Sequence, residues 1–412
     1  MARKMKDSGI EWIGEIPEGW EIKRLGAILQ ERNEVNNPIQ TTSILSLTNN
    51  RGVIPYSEKG NQGNKAKDDL TGYKIAHIGD IVLNSMNVII GSVGLSNYYG
   101  AVSPVYYMLF PRNNIETNIQ YYNYLFQTTA FQQSLRGYGN GILEIRMRIQ
   151  MQKLKTVLLP VPTFLEQSNI TVYLDASLSK LNILLSKTRS SIEEYKKLKQ
   201  AVITQAVATQ QCSHIKLKYL MNVIVDCPHE TPTYSFTGNY YVIRTADQAL
   251  ASLRRDEDMY RLDASEYKKR TRRLTLDKDD IVYGREGERW GLACIVPKSN
   301  KYCLGQRIMQ FRCNTKFLYP KYAMYVLNSE PVYLQGVADT IGSTSPHVNI
   351  STICNYLLPV PALTEQKEIA DYLDAKCAEI DKLIAKKEQL VKEMESYKKS
   401  LIYEVVTGKR EV

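Results

Sequence analysis

Six consecutive residues, Lys268-Lys269-Arg270-Thr271-Arg272-Arg273, form the densest cationic run in the sequence. Side chains of this kind donate to anionic oxygens, which is the chemistry of phosphate binding. Arg285 and Arg289 follow in a glycine-bearing loop directly behind the strand-like Asp280-Ile281-Val282. A guanidinium placed there can offer two parallel N–H groups to the O6 and N7 of a guanine. Thr344, Ser345 and His347, just ahead of a Pro-Val-Pro segment, extend the set as base or phosphate contacts. The N-terminal half carries its own candidates: Asn49 and Arg51, then Asn84, Ser85 and Asn87 behind Asp80-Ile81-Val82, then Tyr138, Asn140, Arg146 and Arg148 around a glycine-rich loop. Each of these residues also has an ordinary reading as a turn or surface group, and the basic run can equally be a solvated face.

Reactive chemistry is hard to find. No glycine-rich phosphate loop with its lysine occurs, and Gly284-Arg285-Glu286-Gly287 is not a dinucleotide fingerprint. Asn36-Asn37-Pro38-Ile39 lacks the second proline and the aromatic residue of an amino-methyltransferase motif. His229-Glu230 lacks a zincin's second histidine, and Asp256-Glu257-Asp258, beside Arg254-Arg255, reads as a solvated acidic loop rather than a nuclease centre. The seven cysteines all lie from Cys212 onward without a Cys-x-x-Cys pair, and the four histidines show no metal-ligand spacing. Reduced, mostly buried thiols and no metal site are therefore expected. The start of the chain has no apolar signal-like region and no stretch is long and apolar enough to span a membrane, so a cytoplasmic location is expected.

The elements that must position the candidates come in duplicate. Leu158-Leu159-Pro160-Val161-Pro162, with Glu166-Gln167, returns as Leu357-Leu358-Pro359-Val360-Pro361, with Glu365-Gln366, at a constant shift of 199. Residues 158–207 lie over 357–406 without a gap and share 18 identities, among them Tyr173-Leu174-Asp175-Ala176 over Tyr372-Leu373-Asp374-Ala375. A period this long means two copies of one large unit rather than a solenoid. After each Pro-x-Pro the apolar positions step about every 3.5 residues, the signature of a coiled-coil seam. The second seam runs Ile369, Leu373, Cys377, Ile380, Ile384, Val391, Met394, Leu401 and Val405. The first runs Ile170, Leu174, Leu178, Leu181, Leu185, Ile192, Tyr195, Val202 and Ala206. Thr188 and Lys387, then Lys199 and Lys398, interrupt both seams at matching places, either as register-setting polar positions or as frayed edges. The flanking parts read as β-rich, with short alternating runs such as 42–47 and 103–110 and a helix over 118–134.

Domain boundaries follow: globular parts at 1–157 and 213–356, helices at 158–212 and 357–412. The formal charge of +10 is unevenly spread. The globular parts hold 17 basic against 13 acidic groups and 20 against 15, whereas the helical parts hold 6 against 4 and 10 against 11. Two basic bodies joined by near-neutral helices suggest two contacts with a polyanion. The expected architecture is α+β: two β-rich domains separated by two long helices packed as an antiparallel coiled coil, with a pseudo-two-fold internal repeat.

The opening Trp12-Ile13-Gly14-Glu15-Ile16-Pro17-Glu18-Gly19-Trp20 resembles the start of specificity (S) subunits of type I restriction-modification systems. The two Leu-Pro-x-Pro helix starts with their Glu-Gln pairs are similar to that family's two conserved regions, and the resemblance covers the whole chain in the family's order. Gly305-Gln306-Arg307 resembles its polar reading loops. The resemblance implies a non-catalytic subunit whose two target-recognition domains each read one half of a bipartite, asymmetric site in double-stranded DNA. It implies helices that dock methyltransferase subunits, two of them, and through these the restriction and motor subunits. S-adenosylmethionine, ATP and Mg would then bind only to those partners. Two readings remain beside it: a coiled-coil interaction adapter without DNA readout, and a nuclease or methyltransferase with degenerate motifs.

Overall fold

The computed structural model describes residues 3–49, 51–60, 65–140, 148–208, 212–340 and 346–412, with Asn140 described by its backbone alone. The chain divides into two compact units, one formed by Met1–Lys187 with Leu390–Val412 and the other by Thr188–Gln389. Each unit thus takes one globular part and a portion of both long helices.

The first unit is built on an antiparallel sheet in the order Leu29–Arg32, Tyr106–Pro111, Ile81–Asn84, Val93–Leu95. The second repeats it as Met221–Asp226, Ile308–Cys313, Ile281–Gly284, Ala293–Ile295. Ile81 faces Leu109 where Ile281 faces Phe311, so the duplication extends to strand register in stretches whose sequences barely agree. The architecture is α+β with an internal repeat, as the sequence predicts.

The repeated motif explains itself residue by residue. Leu158–Val161 is a strand antiparallel to Glu21–Arg24, and Leu357–Val360 pairs in the same way with Ser213–Lys216. Each ladder has two strands, so a proline can sit in it with its missing N–H turned outward. Gln167 donates to the carbonyls of Pro162 (2.9 Å) and Glu116 (3.1 Å) and accepts from the amide of Asn118 (2.8 Å). Gln366 makes the same three bonds, to Pro361 and Phe317 (both 2.9 Å) and from Tyr319 (2.8 Å). Asp175 accepts from the Tyr124 hydroxyl, and Asp374 from Tyr325 at 2.7 Å. The shared residues therefore tie each long helix to a short helix of its own unit, Ile119–Gln127 or Pro320–Leu327. Where one helix was expected over 118–134 there are two, Ile119–Gln127 and Thr129–Ser134, because Thr128 caps the second with a bond from the Phe131 amide.

The long helices run Phe164–Ala208 and Leu363–Val406. Within the second unit Tyr195 lies under Lys387 and Lys199 bonds Asp381, so the two segments are antiparallel there. In the first unit Lys398 donates to Asn182, and Ile170, Leu174 and Leu178 share a core cluster with Leu401, Ile402, Val405 and Val406. The second seam is only half-buried at Ile384, Val391 and Met394. The first is buried from Ile170 through Ile192, but its last three expected positions, Tyr195, Val202 and Ala206, are half-buried. Ile203 and Val207 are buried instead, because this end of the helix packs into the sheet core of the second unit. Lys199 is not a frayed edge. It is 4% exposed, donating to both carboxylate oxygens of Asp381 (2.9 and 2.8 Å) and to the Leu250 carbonyl (2.9 Å). Lys398 and Asn182 are the repeat-equivalents of Lys199 and Asp381, and their bond of 2.9 Å is the neutral-acceptor version of the same lock.

All seven cysteines are free thiols, five of them buried. Burial pushes Cys294, Cys303 and Cys313 up to about 12, so almost no thiolate exists near neutral pH. Thiol titration of the folded protein should label only the half-buried Cys212 and Cys354 quickly, with the other five reacting on denaturation. Rapid labelling of Cys294 in the native state would contradict this packing.

Candidate nucleic-acid interface

In both units the loops that carry candidate residues are built on one backbone cradle. It begins where the strand after Asp80 or Asp280 ends. The Ser85 amide donates to the Val105 carbonyl (3.4 Å) and the Ser85 carbonyl accepts from the Ile149 amide (2.9 Å). In the second unit the Arg285 amide donates to Arg307 (2.9 Å) and its carbonyl accepts from Val348 (3.2 Å). Sheet register makes Val105 the counterpart of Arg307, and the repeat shift makes Ile149 that of Val348. The cradle is held by main-chain bonds, so its side chains are free to differ, and they do: Met86 against Glu286, Val105 against Arg307, Arg148 against His347.

Below each cradle lies a buried aspartate. Asp80 takes a bidentate contact from Arg32, at 2.9 and 3.1 Å. Asp280 takes one from Arg312, at 2.8 Å for both bonds, and a further bond of 2.7 Å from Gln310. The arginine comes from a different strand in each unit. The repeat thus conserves the ion pair and not its supplier.

In the first unit the three candidate groups converge on the turn 85–90. The Asn49 side chain donates to the Ile90 carbonyl (3.1 Å), placing the hairpin tip over the turn, and Arg148 precedes the residue that bonds Ser85. Asn49, Arg51 and Arg148 are exposed, Asn87 and Tyr138 are half-buried, and Arg51 is paired with Glu58 at 2.5 Å. Asn84 and Ser85 are not surface readers. Ser85 is fully buried with its hydroxyl on the Val105 carbonyl (2.8 Å), and the buried Asn84 carboxamide accepts from the Met86 amide (3.0 Å). The stretch expected as a loop around Tyr138 begins as a 3-10 turn over Leu135–Tyr138, and Gly139 and Asn140 pair with Ile149 and Arg148. Arg146 and the Asn140 side chain lie outside the described residues.

In the second unit the basic run splits by helical periodicity. Ala264–Arg270 is a helix, and Tyr267 and Arg270, three apart, face inward. Arg270 is buried and donates to the carbonyls of Leu304, Glu230 and Pro228, so it holds the fold rather than a ligand. Lys268, Lys269, Arg272 and Arg273 are exposed. The last three, with His229 and Glu230, line a cavity of about 150 Å³. Lys269 is paired with Glu230 at 3.0 Å. Arg289 is exposed but donates to the carbonyls of Ala246 (3.0 Å) and Gln248 (3.1 Å). Arg285 is buried, with Nη2 on Asp226 (3.3 Å) and on Glu286, and so reaches no groove itself. Arg307 is exposed, His347 is half-buried and forms a strand-like bridge with Glu286, and Thr344 and Ser345 lie outside the described residues.

Sequence reasoning passed over Glu286 because it looked for positive charge, although the residue sits between two flagged positions. It weighed His229 only beside Glu230 and passed over its grouping with Asp226 and Cys227; the ligand-type atoms of the three lie within 4.8 Å of one another. These groups are already engaged. His229 (3.1 Å) and Arg285 share the Asp226 carboxylate, and the Cys227 sulfur accepts from the Arg307 amide (3.1 Å).

A family model described as the type I restriction modification DNA specificity domain matches this chain twice, over residues 17–194 and 227–393. The specificity subunit of the type I restriction enzyme EcoBI of Escherichia coli is 29% identical over 133 residues, which is 32% of this chain and 27% of that protein. The MjaVIII specificity subunit of Methanocaldococcus jannaschii is 21% identical over 426 aligned positions, spanning 96% of this chain and 93% of its own. Among solved structures, a chain from work on complex assembly and conformational transition of the type I R-M system superposes with a TM-score of 0.72 at 14% identity, covering 96% of this chain and 99% of that one. The HsdS subunit from Thermoanaerobacter tengcongensis gives 0.51 at 15% identity, covering 96% and 98%. At such identities these two show a shared fold.

Proposed function

Because this chain belongs to the family of type I restriction modification DNA specificity domains, we propose that it selects the DNA site for a type I restriction-modification complex by reading a bipartite, asymmetric sequence with one globular part per half-site. Residues 1–157 and 213–356 serve as the two target-recognition domains, and residues 158–212 and 357–412 form the spacer that sets their separation. The observation that carries this reading is the duplicated cradle. Two copies of one main-chain frame present different side chains, which suits two readers of different half-sites. Phosphate contacts from Lys268, Lys269, Arg272 and Arg273 supply affinity, and polar groups around the cradles supply discrimination.

The near-neutral outer faces of the long helices dock two methyltransferase subunits, and these in turn recruit the restriction subunits. Methyl transfer from S-adenosylmethionine to adenine, and ATP- and Mg-dependent cleavage, belong to those partners. The assembled complex works in the cytoplasm, where its DNA is.

Mapping methylated adenines in cells with the complete system, and in cells lacking this chain alone, tests the reading. The expected result is one motif of two defined half-sites separated by a spacer of constant length, lost when the chain is deleted. A single uninterrupted motif, or methylation indifferent to the deletion, would overturn it.

A further inference from the structure

We propose that Glu286 is a positioning residue for base readout and that Arg307, which it orients, takes a guanine edge in the half-site read by the second unit. The inference rests on the proposed function and adds the base and the device. Arg307 is the one arginine among the described residues whose backbone is left-handed, at φ 70°. That conformation costs a non-glycine residue on the order of 1 kcal/mol or more and persists where surroundings impose it. Here they do, because its amide donates to the Cys227 sulfur (3.1 Å) and its carbonyl accepts from the Arg285 amide (2.9 Å). The strain aims a side chain that is itself 52% exposed.

The charges around that side chain point to a base rather than a phosphate. Glu286 lies 3.9 Å from Nε of Arg307 and also engages the buried Arg285, which in turn reaches Asp226 at 3.3 Å. Two arginines and two carboxylates make a cluster with no net charge. A phosphate would be opposed by the adjacent carboxylates, whereas a neutral base edge is not. The carboxylate lies nearest Nε, which leaves the two terminal nitrogens for end-on contact with O6 and N7. Arg285 is 8% exposed, and its Nε has no acceptor among the described residues. It acts as the buried counter-charge that holds Glu286 in place. Glu286 is further fixed by the bridge to His347 and by the bond of the Gly287 amide to the Pro346 carbonyl (2.8 Å). The equivalent positions of the first unit are Met86 and Val105, so this device belongs to one unit only.

The test uses the complete complex, with adenine methylation mapped genome-wide and DNA affinity measured across salt concentrations. Wild type should require guanine at one position of one half-site. R307A and R307K should both relax that requirement on the order of 10- to 100-fold, since lysine cannot make the bidentate contact. E286Q should relax it about 3- to 10-fold by removing the negative charge that faces Arg307 at 3.9 Å and is held by Arg285, and E286D should restore part of it. The slope of affinity against salt should stay the same in all four variants, because no phosphate contact is removed. Unchanged base preference in R307A, or a shallower salt slope, would overturn the assignment to guanine. Relaxation in R307A without any in E286Q would overturn the positioning role. A wild-type complex with no defined half-site would remove the proposed function, and this inference with it.

Discussion

Replacing Asp280 with alanine should destabilise the second unit by about 3–4 kcal/mol and leave the first unit's sheet protected. Asp280 is buried beneath the cradle and accepts four bonds: two from Arg312 (2.8 Å each), one from Gln310 (2.7 Å) and one from the Asp277 amide (2.8 Å). Removing the carboxylate leaves Gln310, 1% exposed, with only the Thr275 carbonyl (3.1 Å). Arg312 is half-buried and keeps Asp277 at 2.8 Å, which moderates the loss. Native-state hydrogen exchange separates the units: protection should fall across Ile281–Gly284 and Ile308–Cys313 and persist across Ile81–Asn84. The double variant D280A/R312M should lose less than the sum of its parts, because it removes the cation left without its main partner. Full additivity would mean that the pair contributes nothing beyond its separate packing.

The same aspartate shows what the sequence discloses and what it withholds. The recurrence of Asp-Ile-Val at a shift of 200 marks equivalent strands, and the structure puts both in the same place in the same sheet. The arginine partners were not legible, because Arg32 and Arg312 come from non-equivalent strands and only tertiary pairing reveals that either can serve. The long helices were legible because their period is local. The final turns of the first were not, since Ile203 and Val207 answer to the sheet core rather than to the opposite helix; Leu401 and Val405 of the second are buried as expected. Lys199 could be read two ways, and its burial against Asp381 selects the register-setting one.

At the candidate interface the basic run misled for a physical reason. Charge density reads as uniform exposure, yet a helix turns about 100° per residue, and Tyr267 and Arg270 share its inward stripe. A tyrosine three residues before an arginine was a usable signal. No comparable local signal placed Arg285 inside and Arg307 outside, because that depends on a cradle assembled from segments more than 20 residues apart. Side chains that define a frame and side chains that project from it have the same composition, and only the main-chain bonds tell them apart.

Exchanging residues 213–356 for the corresponding stretch of another family member should change one half of the methylated site and leave the other half and the spacer as they were. Several of the polar junctions favour this outcome because they run through main chain, while Ile203, Val207, Ile369 and Leu373 add apolar packing against the domain core. Ser213–Lys216 meets Leu357–Val360 as a ladder, and Gln366 bonds the Phe317 carbonyl and the Tyr319 amide whatever their side chains are. Lys199 meets the incoming domain at the Leu250 carbonyl, and its ionic partner Asp381 stays behind in the helix. Side chains of the domain also enter the junction: Gln335 donates to the Leu357 carbonyl (3.0 Å) and accepts from its amide (2.7 Å), and the Tyr322 hydroxyl donates to the Pro359 carbonyl (3.1 Å). Lys321 donates to Asp374, and the Tyr325 hydroxyl donates to Asp374 at 2.7 Å. A donor lacking tyrosine there should fold with a loss of about 1 kcal/mol, measured by denaturant unfolding, without altering which bases are methylated. If both half-sites changed, each would depend on both globular parts, and a one-domain-per-half reading would fail. A changed spacer alone would show that the globular parts, not the helices, set the separation.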